Sequence, residues 1–235
     1  MSVGEKNYES CQDICGNLQK PGLALDRALA VDYSARETTI DQARIEVELD
    51  KMEVTGTNIL HVGVGNSKFA ARFASRANLI DGLTVSPNEK AYADALGISN
   101  YTVYVLNKYS KEFVATILTK YDFIVDNNLA SFACCKYHFY LMLDNYLGSL
   151  KPHGKILTDQ RGMNWSLNDL GWIMTYEDLV GLESKFPIQV LKITDVVYAL
   201  ARIERCPTSG AALYVYNINT PDGGTGPLQC RLFGQ

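Results

Sequence analysis

Little in this chain of 235 residues is present in excess. Charge of one sign is lacking: 22 basic and 26 acidic side chains leave a net charge of −4, and no Lys/Arg cluster stands out. That excludes the basic stripe expected of a protein that grips phosphate backbones. Long apolar runs are lacking too, with nothing near the ~18 consecutive apolar residues of a membrane span. The opening Met-Ser-Val-Gly-Glu-Lys has no apolar signal core, so a cytoplasmic location is expected. No CxxC pair occurs, and histidines stand only at 61, 138 and 153, so no metal site is expected. The six cysteines (11, 15, 134, 135, 206 and 230) read as reduced thiols. There are no internal repeats and no low-complexity segments.

What is present is a globular composition, 47 % hydrophobic and 20 % charged. A chain of this size buries a sufficient core without disulfides. From Arg36 to Met52 the apolar spacing predicts a helix. Asn58–Val64 is a short apolar run closing in glycine, a buried strand. Helices and strands then alternate: helix 67–77, strand 79–85, helix 88–96, strand 102–106, helix 111–119, strand 123–126. A longer helix, 134–150, carries Phe139, Met142, Leu143, Tyr146, Leu147 and Leu150 on one face. A turn at 151–154, strand 155–158, helix 176–186 and strands 189–193 and 196–203 follow. The alternation predicts an α/β fold: a doubly wound, mostly parallel, Rossmann-like sheet of seven strands in a three-layer α/β/α sandwich. The two late strands, with no helix between them, predict an antiparallel edge.

The strongest chemical signal is Asn58–Ala70, NILHVGVGNSKFA. It reads as a strand, then Gly63-x-Gly65, then a helix. Glycines there let the backbone approach a ligand, and the helix N-terminus favours a polar or anionic group. A dinucleotide fingerprint asks for a third glycine where Lys68 stands, and no phosphate-binding P-loop occurs.

The order of motifs resembles the class I S-adenosylmethionine-dependent methyltransferases. HVGVGNSKFA looks like their first motif. Gly82–Glu89 (GLTVSPNE) is similar to the motif that holds the cofactor ribose. Tyr121–Asn128 (YDFIVDNN) resembles the fourth-strand motif beside the transferred methyl. Leu150–Leu157 is similar to the turn into the fifth strand. The resemblance spans about residues 55 to 205. It divides the chain into an N-terminal helical lid or extension (1–52), a cofactor-binding core (53–205) and a C-terminal extension or tail (206–235).

The resemblance implies S-adenosylmethionine as cofactor and S-adenosylhomocysteine as product. It implies contacts from Gly63, Gly65, Asn66 and Ser67 of the glycine turn, and from Thr84, Val85 and Ser86 at the ribose. Asn107 falls at the adenine, Asp126 and Asn127 at the methionine part, and Tyr33 and Arg36 in a lid. The family has acidic residues where His61 and Thr84 stand here. Thr84 offers hydrogen bonds without charge, as in branches resembling the cyclopropane synthases. His61 serves either as a neutral donor or as a core histidine. Candidates for positioning or deprotonating the acceptor are Asn128, Ser131, Tyr137 and His138; the plainer reading of His138 is structural. Trp165 and Trp172, with Met163 and Met174, are candidate walls of an acceptor pocket. No Asn-Pro-Pro-Tyr follows the fourth strand, which points away from the amino-methylating nucleic-acid and protein branches.

The expected function is methyl transfer to oxygen or nitrogen of a small molecule, without nucleic-acid or membrane partners; the reading leaves room for a homodimer. The rivals are a catalytically degenerate scaffold on the same fold and a nicotinamide-dependent oxidoreductase.

Overall fold

The computed structural model describes residues 33–110, 112–131, 133, 136–163, 174–203, 213–214 and 230–231. Expectations that fall on the first 32 residues, on Cys134, Cys135, Trp165 and Trp172, and on most of the stretch after Ile203 lie outside the described residues. So does the side chain of Tyr137.

Seven strands form one sheet in the order β3-β2-β1-β4-β5-β7-β6. They are β1 (Asn58–Val62), β2 (Leu79–Thr84), β3 (Tyr101–Val105), β4 (Tyr121–Asp126), β5 (Leu150–Asp159), β6 (Ile188–Lys192) and β7 (Val197–Arg202). The first five pair in parallel. β7 runs antiparallel to both β5 and β6, and β6 forms the edge. Two short strands, β8 (Leu213–Tyr214) and β9 (Cys230–Arg231), pair with each other in a separate ladder.

Side chains alternate across the sheet and divide its core in two. On one face Ile59, Phe123, Val125 and Leu157 meet Ile45 and Leu49 of α1 (Ile40–Asp50) and Phe69 and Phe73 of α2 (Lys68–Phe73). On the other, Leu60, Val62, Ile124 and Ile156 meet Phe113 of α4 (Phe113–Thr116), the α5 helix (Lys136–Ser149) and Leu179 of α6 (Tyr176–Gly181). α3 (Pro87–Ala95) packs Ala93 against Val64 and Val103. Every apolar position expected on α5, from Phe139 to Leu150, is buried.

Several boundaries differ from the sequence reading. α2 starts one residue late because Ser67 takes a left-handed conformation, φ 54°. α4 is a single turn. α6 stops at Gly181 and tightens into a 3-10 turn, Leu182–Ser184. The turn expected at 151–154 is absorbed into β5, which follows α5 directly. Its cost is a register shift opposite Tyr121 and Phe123 and a left-handed His153, φ 63°. Met163 and Met174 are buried in the α5-side core rather than along a pocket.

Candidate functional site

A cavity of about 530 Å³ opens at the carboxyl ends of β1, β2, β3 and β4. In an open α/β sheet this is where ligands bind. Gly63 and Gly65 turn the chain there with φ of 80° and 47°, values that favour glycine. The Gly63 N–H is anchored on the Leu83 carbonyl at 2.8 Å, which ties the turn to β2. The Asn66 amide donates to the Arg36 carbonyl at 2.7 Å and so draws the segment before α1 over the turn.

At the end of β2, where the sequence has Thr84, a carboxylate comes from the helix that follows. Ser86 caps α3, its hydroxyl accepting from the Glu89 N–H at 3.4 Å. Pro87 at the first helical position fixes the entry angle. The capped first turn brings the Glu89 carboxylate back onto Thr84, whose hydroxyl donates to it at 2.6 Å. Both residues are buried and both line the cavity. The corner thus carries a charged acceptor beside a hydroxyl, a pairing suited to a vicinal diol.

His61 is the next-to-last residue of β1, on the α1 side of the sheet. Its ring stacks on Phe69, centroids 4.2 Å apart. Burial holds its pKa down at about 3, so it is neutral at ordinary pH. Neither ring nitrogen has a hydrogen-bond partner, and neither has the Oε1 of Gln42 from α1. Gln42 gives its amide to Glu46 at 3.2 Å, and Glu46 pairs with Arg72 at 3.0 Å. Buried polar atoms are rarely left unmatched. Both residues that carry these three atoms line the cavity, which marks a place for a polar ligand group.

The end of β4 is fully braced. The Asp126 carboxylate accepts from Lys108 Nζ at 2.8 Å, from the Tyr146 hydroxyl at 2.9 Å and from the Asn128 N–H at 3.0 Å. Lys108 also donates to the Asn128 and Leu129 carbonyls, which engages all three of its protons. Burial pulls the Lys108 pKa below the usual lysine value, while Asp126 opposes that. The Tyr146 hydroxyl is pushed well above its ordinary range, by burial first and by Asp126 second. Asn127 donates to Asp41 of α1 at 2.6 Å.

Most residues named from the sequence meet at this cavity: Tyr33, Arg36, His61, Gly63, Gly65, Asn66, Thr84, Val85, Ser86, Asn107, Asp126, Asn127 and Asn128. Two do not. Ser67 turns its hydroxyl to Tyr101 at 3.1 Å, because its left-handed backbone points the side chain away from the turn. His138 is buried in the first turn of α5 and does not line the cavity. Asp126, expected against a ligand, spends its carboxylate on Lys108, Tyr146 and the backbone. The sequence reading missed Glu89, Gln42, Lys108 and Arg161 as lining residues. Glu89 carried a signal, standing in the helical first turn after Thr84; Gln42 and Glu46 lie one turn apart on α1. Lys108 and Arg161 carried none.

No family model and no curated protein matches the chain. Solved structures do. The N-methyltransferase NodS from Bradyrhizobium japonicum WM9, in complex with S-adenosylhomocysteine, superposes with a TM-score of 0.57 at 14 % identity, over 77 % of this chain and 97 % of that one. The chain has the class I methyltransferase fold. A TehB-like S-adenosylmethionine-dependent methyltransferase from Corynebacterium glutamicum gives 0.52 at 16 % identity, over 75 % and 92 % of the two chains. An rRNA methylase from Streptococcus thermophilus gives 0.50 at 13 %, over 72 % and 99 %. Within this methyltransferase fold the glycine turn, the β2–α3 corner and the β4 loop occupy one rim of the sheet. Among the described residues no cluster of ligating side chains fits a metal ion, and no helix is long and apolar enough to cross a membrane.

Proposed function

We propose that the chain is an S-adenosylmethionine-dependent methyltransferase acting on an oxygen or nitrogen atom of a small molecule. The observation that carries this reading is the Glu89–Thr84 pair, which lines one cavity together with the glycine turn. A carboxylate and a hydroxyl there match ribose hydroxyls, and they supply what the β2 end lacks in sequence. The unprotonated ring nitrogen of His61 and the Gln42 Oε1 are acceptors suited to the methionyl ammonium. Arg36 suits the methionyl carboxylate, and Asn107 the adenine edge. The names of the structural neighbours support the same cofactor: one was crystallised with S-adenosylhomocysteine.

Bound there, S-adenosylmethionine supplies an electrophilic sulfonium methyl that departs from a neutral thioether. The chain's part is alignment and exclusion of water. Lys108, Tyr146 and Asp126 hold the β4 loop still, so that Asn127 and Asn128 present a fixed edge to the acceptor. His61, at a pKa of about 3, is a poor base. An acceptor that reaches the site as a free-base amine needs no other. A cavity of about 530 Å³ and the net charge of −4 favour a small acceptor over a polynucleotide.

The test is label transfer from methyl-labelled S-adenosylmethionine into a cell extract separated by size. Label in the small-molecule fraction is expected. Label in RNA or protein would contradict the acceptor reading. Absence of label from a protein that still binds S-adenosylhomocysteine would favour the degenerate scaffold.

A further inference from the structure

Three cationic side chains line the cavity, and they stand in different places. Lys108 has all its protons on Asp126 and two carbonyls. Arg36 sits at the glycine turn, its carbonyl held by Asn66 and its guanidinium over the Tyr33 ring at 5.9 Å. Arg161, in the 3-10 turn after β5, has no partner for its guanidinium among the described residues.

The backbone that carries Arg161 is fixed. Its N–H donates to Asp159 Oδ1 at 2.9 Å. Asp159 is fully buried and its charge is taken by a bidentate pair with Arg44 of α1, at 2.7 and 2.8 Å. The Gly162 carbonyl accepts from the Ala130 N–H, the Ser131 N–H and the Ser131 hydroxyl, between 3.0 and 3.1 Å. Gly162 also lies so close to the β4 loop that a Cβ would fall 1.7 Å from the Asn127 carbonyl oxygen. Arg161 therefore stands beside loop 127–131, at the acceptor end. Thr84, Glu89 and Asn107 hold the opposite end.

We infer that Arg161 binds a carboxylate carried by the methyl acceptor, so that the acceptor is a small amino or hydroxy acid. This rests on the proposed function above. A guanidinium matches a carboxylate through two parallel hydrogen bonds. A phosphate, close to a dianion at neutral pH, would call for a second cation, and Lys108 and Arg36 are placed elsewhere.

The test compares wild type with Arg161→Met by calorimetric titration. The probes are S-adenosylhomocysteine and three S-adenosylmethionine analogues whose methyl is replaced by a short alkyl chain ending in carboxylate, primary amide or phosphonate. In wild type the carboxylate is expected to bind about tenfold tighter than the amide. In Arg161→Met that ratio falls to about one while S-adenosylhomocysteine affinity stays within about twofold. Equal binding of carboxylate and amide to wild type, a preference that survives in Arg161→Met, or tighter binding of the phosphonate would each overturn the inference. Loss of S-adenosylhomocysteine affinity in Arg161→Met would assign the arginine to the cofactor instead and overturn it too. If wild type itself binds no S-adenosylhomocysteine, the proposed function fails, and the inference with it.

Discussion

At the scale of residues, His61 and Thr84, the two departures from the motifs that the sequence resembles, have physical answers in the structure. Glu89 returns a carboxylate to the β2 end from the first turn of α3, where the helix N-terminus also favours it. Hydrogen bonds to a charged group contribute about 1.5–3 kcal/mol. Glu89→Ala is therefore expected to weaken S-adenosylhomocysteine binding by about 10- to 100-fold, and Glu89→Gln by less. A calorimetric affinity for Glu89→Ala equal to wild type would remove Glu89 from the site. His61 has the opposite character, a buried histidine held neutral. Its folded pKa is about 3 against an ordinary 6.5, so the unfolded chain binds the extra proton between those values. Stability is therefore complete above about pH 6.5 and falls as pH drops towards 3. At pH 5 this one group costs about 2 kcal/mol. Urea unfolding at pH 7.5 and pH 5 should show that His61→Phe loses less stability than wild type by about that amount. Equal losses would mean that His61 is not buried as described.

At the scale of elements, much was legible and the misses have causes. The apolar stripe on α5 and the continuous apolar strands were read correctly because burial dictates them. The glycine turn was legible because close backbone approach restricts the residue type. What failed was side-chain direction. Ser67 falls just before its helix and His138 lies on its own, yet one left-handed φ and one helical rotation turn them away. α1 supplies Asp41, Gln42 and Glu46 to a cavity built on a distant strand. Only tertiary packing decides that, and no local spacing encodes it. The 3-10 turn after β5 was equally hidden, since Gly162 matters through its approach to Asn127. Gly162→Ala is expected to cost about 1–3 kcal/mol, a drop of roughly 2–4 °C in melting temperature per kcal/mol. Gly148 on α5 has open space around its Cα, so Gly148→Ala is expected to be neutral or to stabilise by up to about 1 kcal/mol. Equal melting temperatures for the two variants would contradict the close packing at Gly162.

At the scale of the whole molecule, α1 and the turn after β5 are one assembly. Arg44 clamps Asp159, Asn127 reaches Asp41, and the Gly162 carbonyl gathers the β4 loop. The parts of the cavity wall thus come from the segment before the core, from four strand ends and from the turn after β5. Lys68 stands where a dinucleotide site needs its third glycine and pairs with Glu37 at 2.8 Å. That arrangement favours an adenosyl cofactor over a nicotinamide one. The most direct test is calorimetric titration of the purified protein with S-adenosylhomocysteine, with NAD as the control. The account predicts saturable one-to-one binding of S-adenosylhomocysteine at micromolar concentrations or below, and no heat of binding from NAD. Binding of NAD, or no binding of S-adenosylhomocysteine, would contradict it.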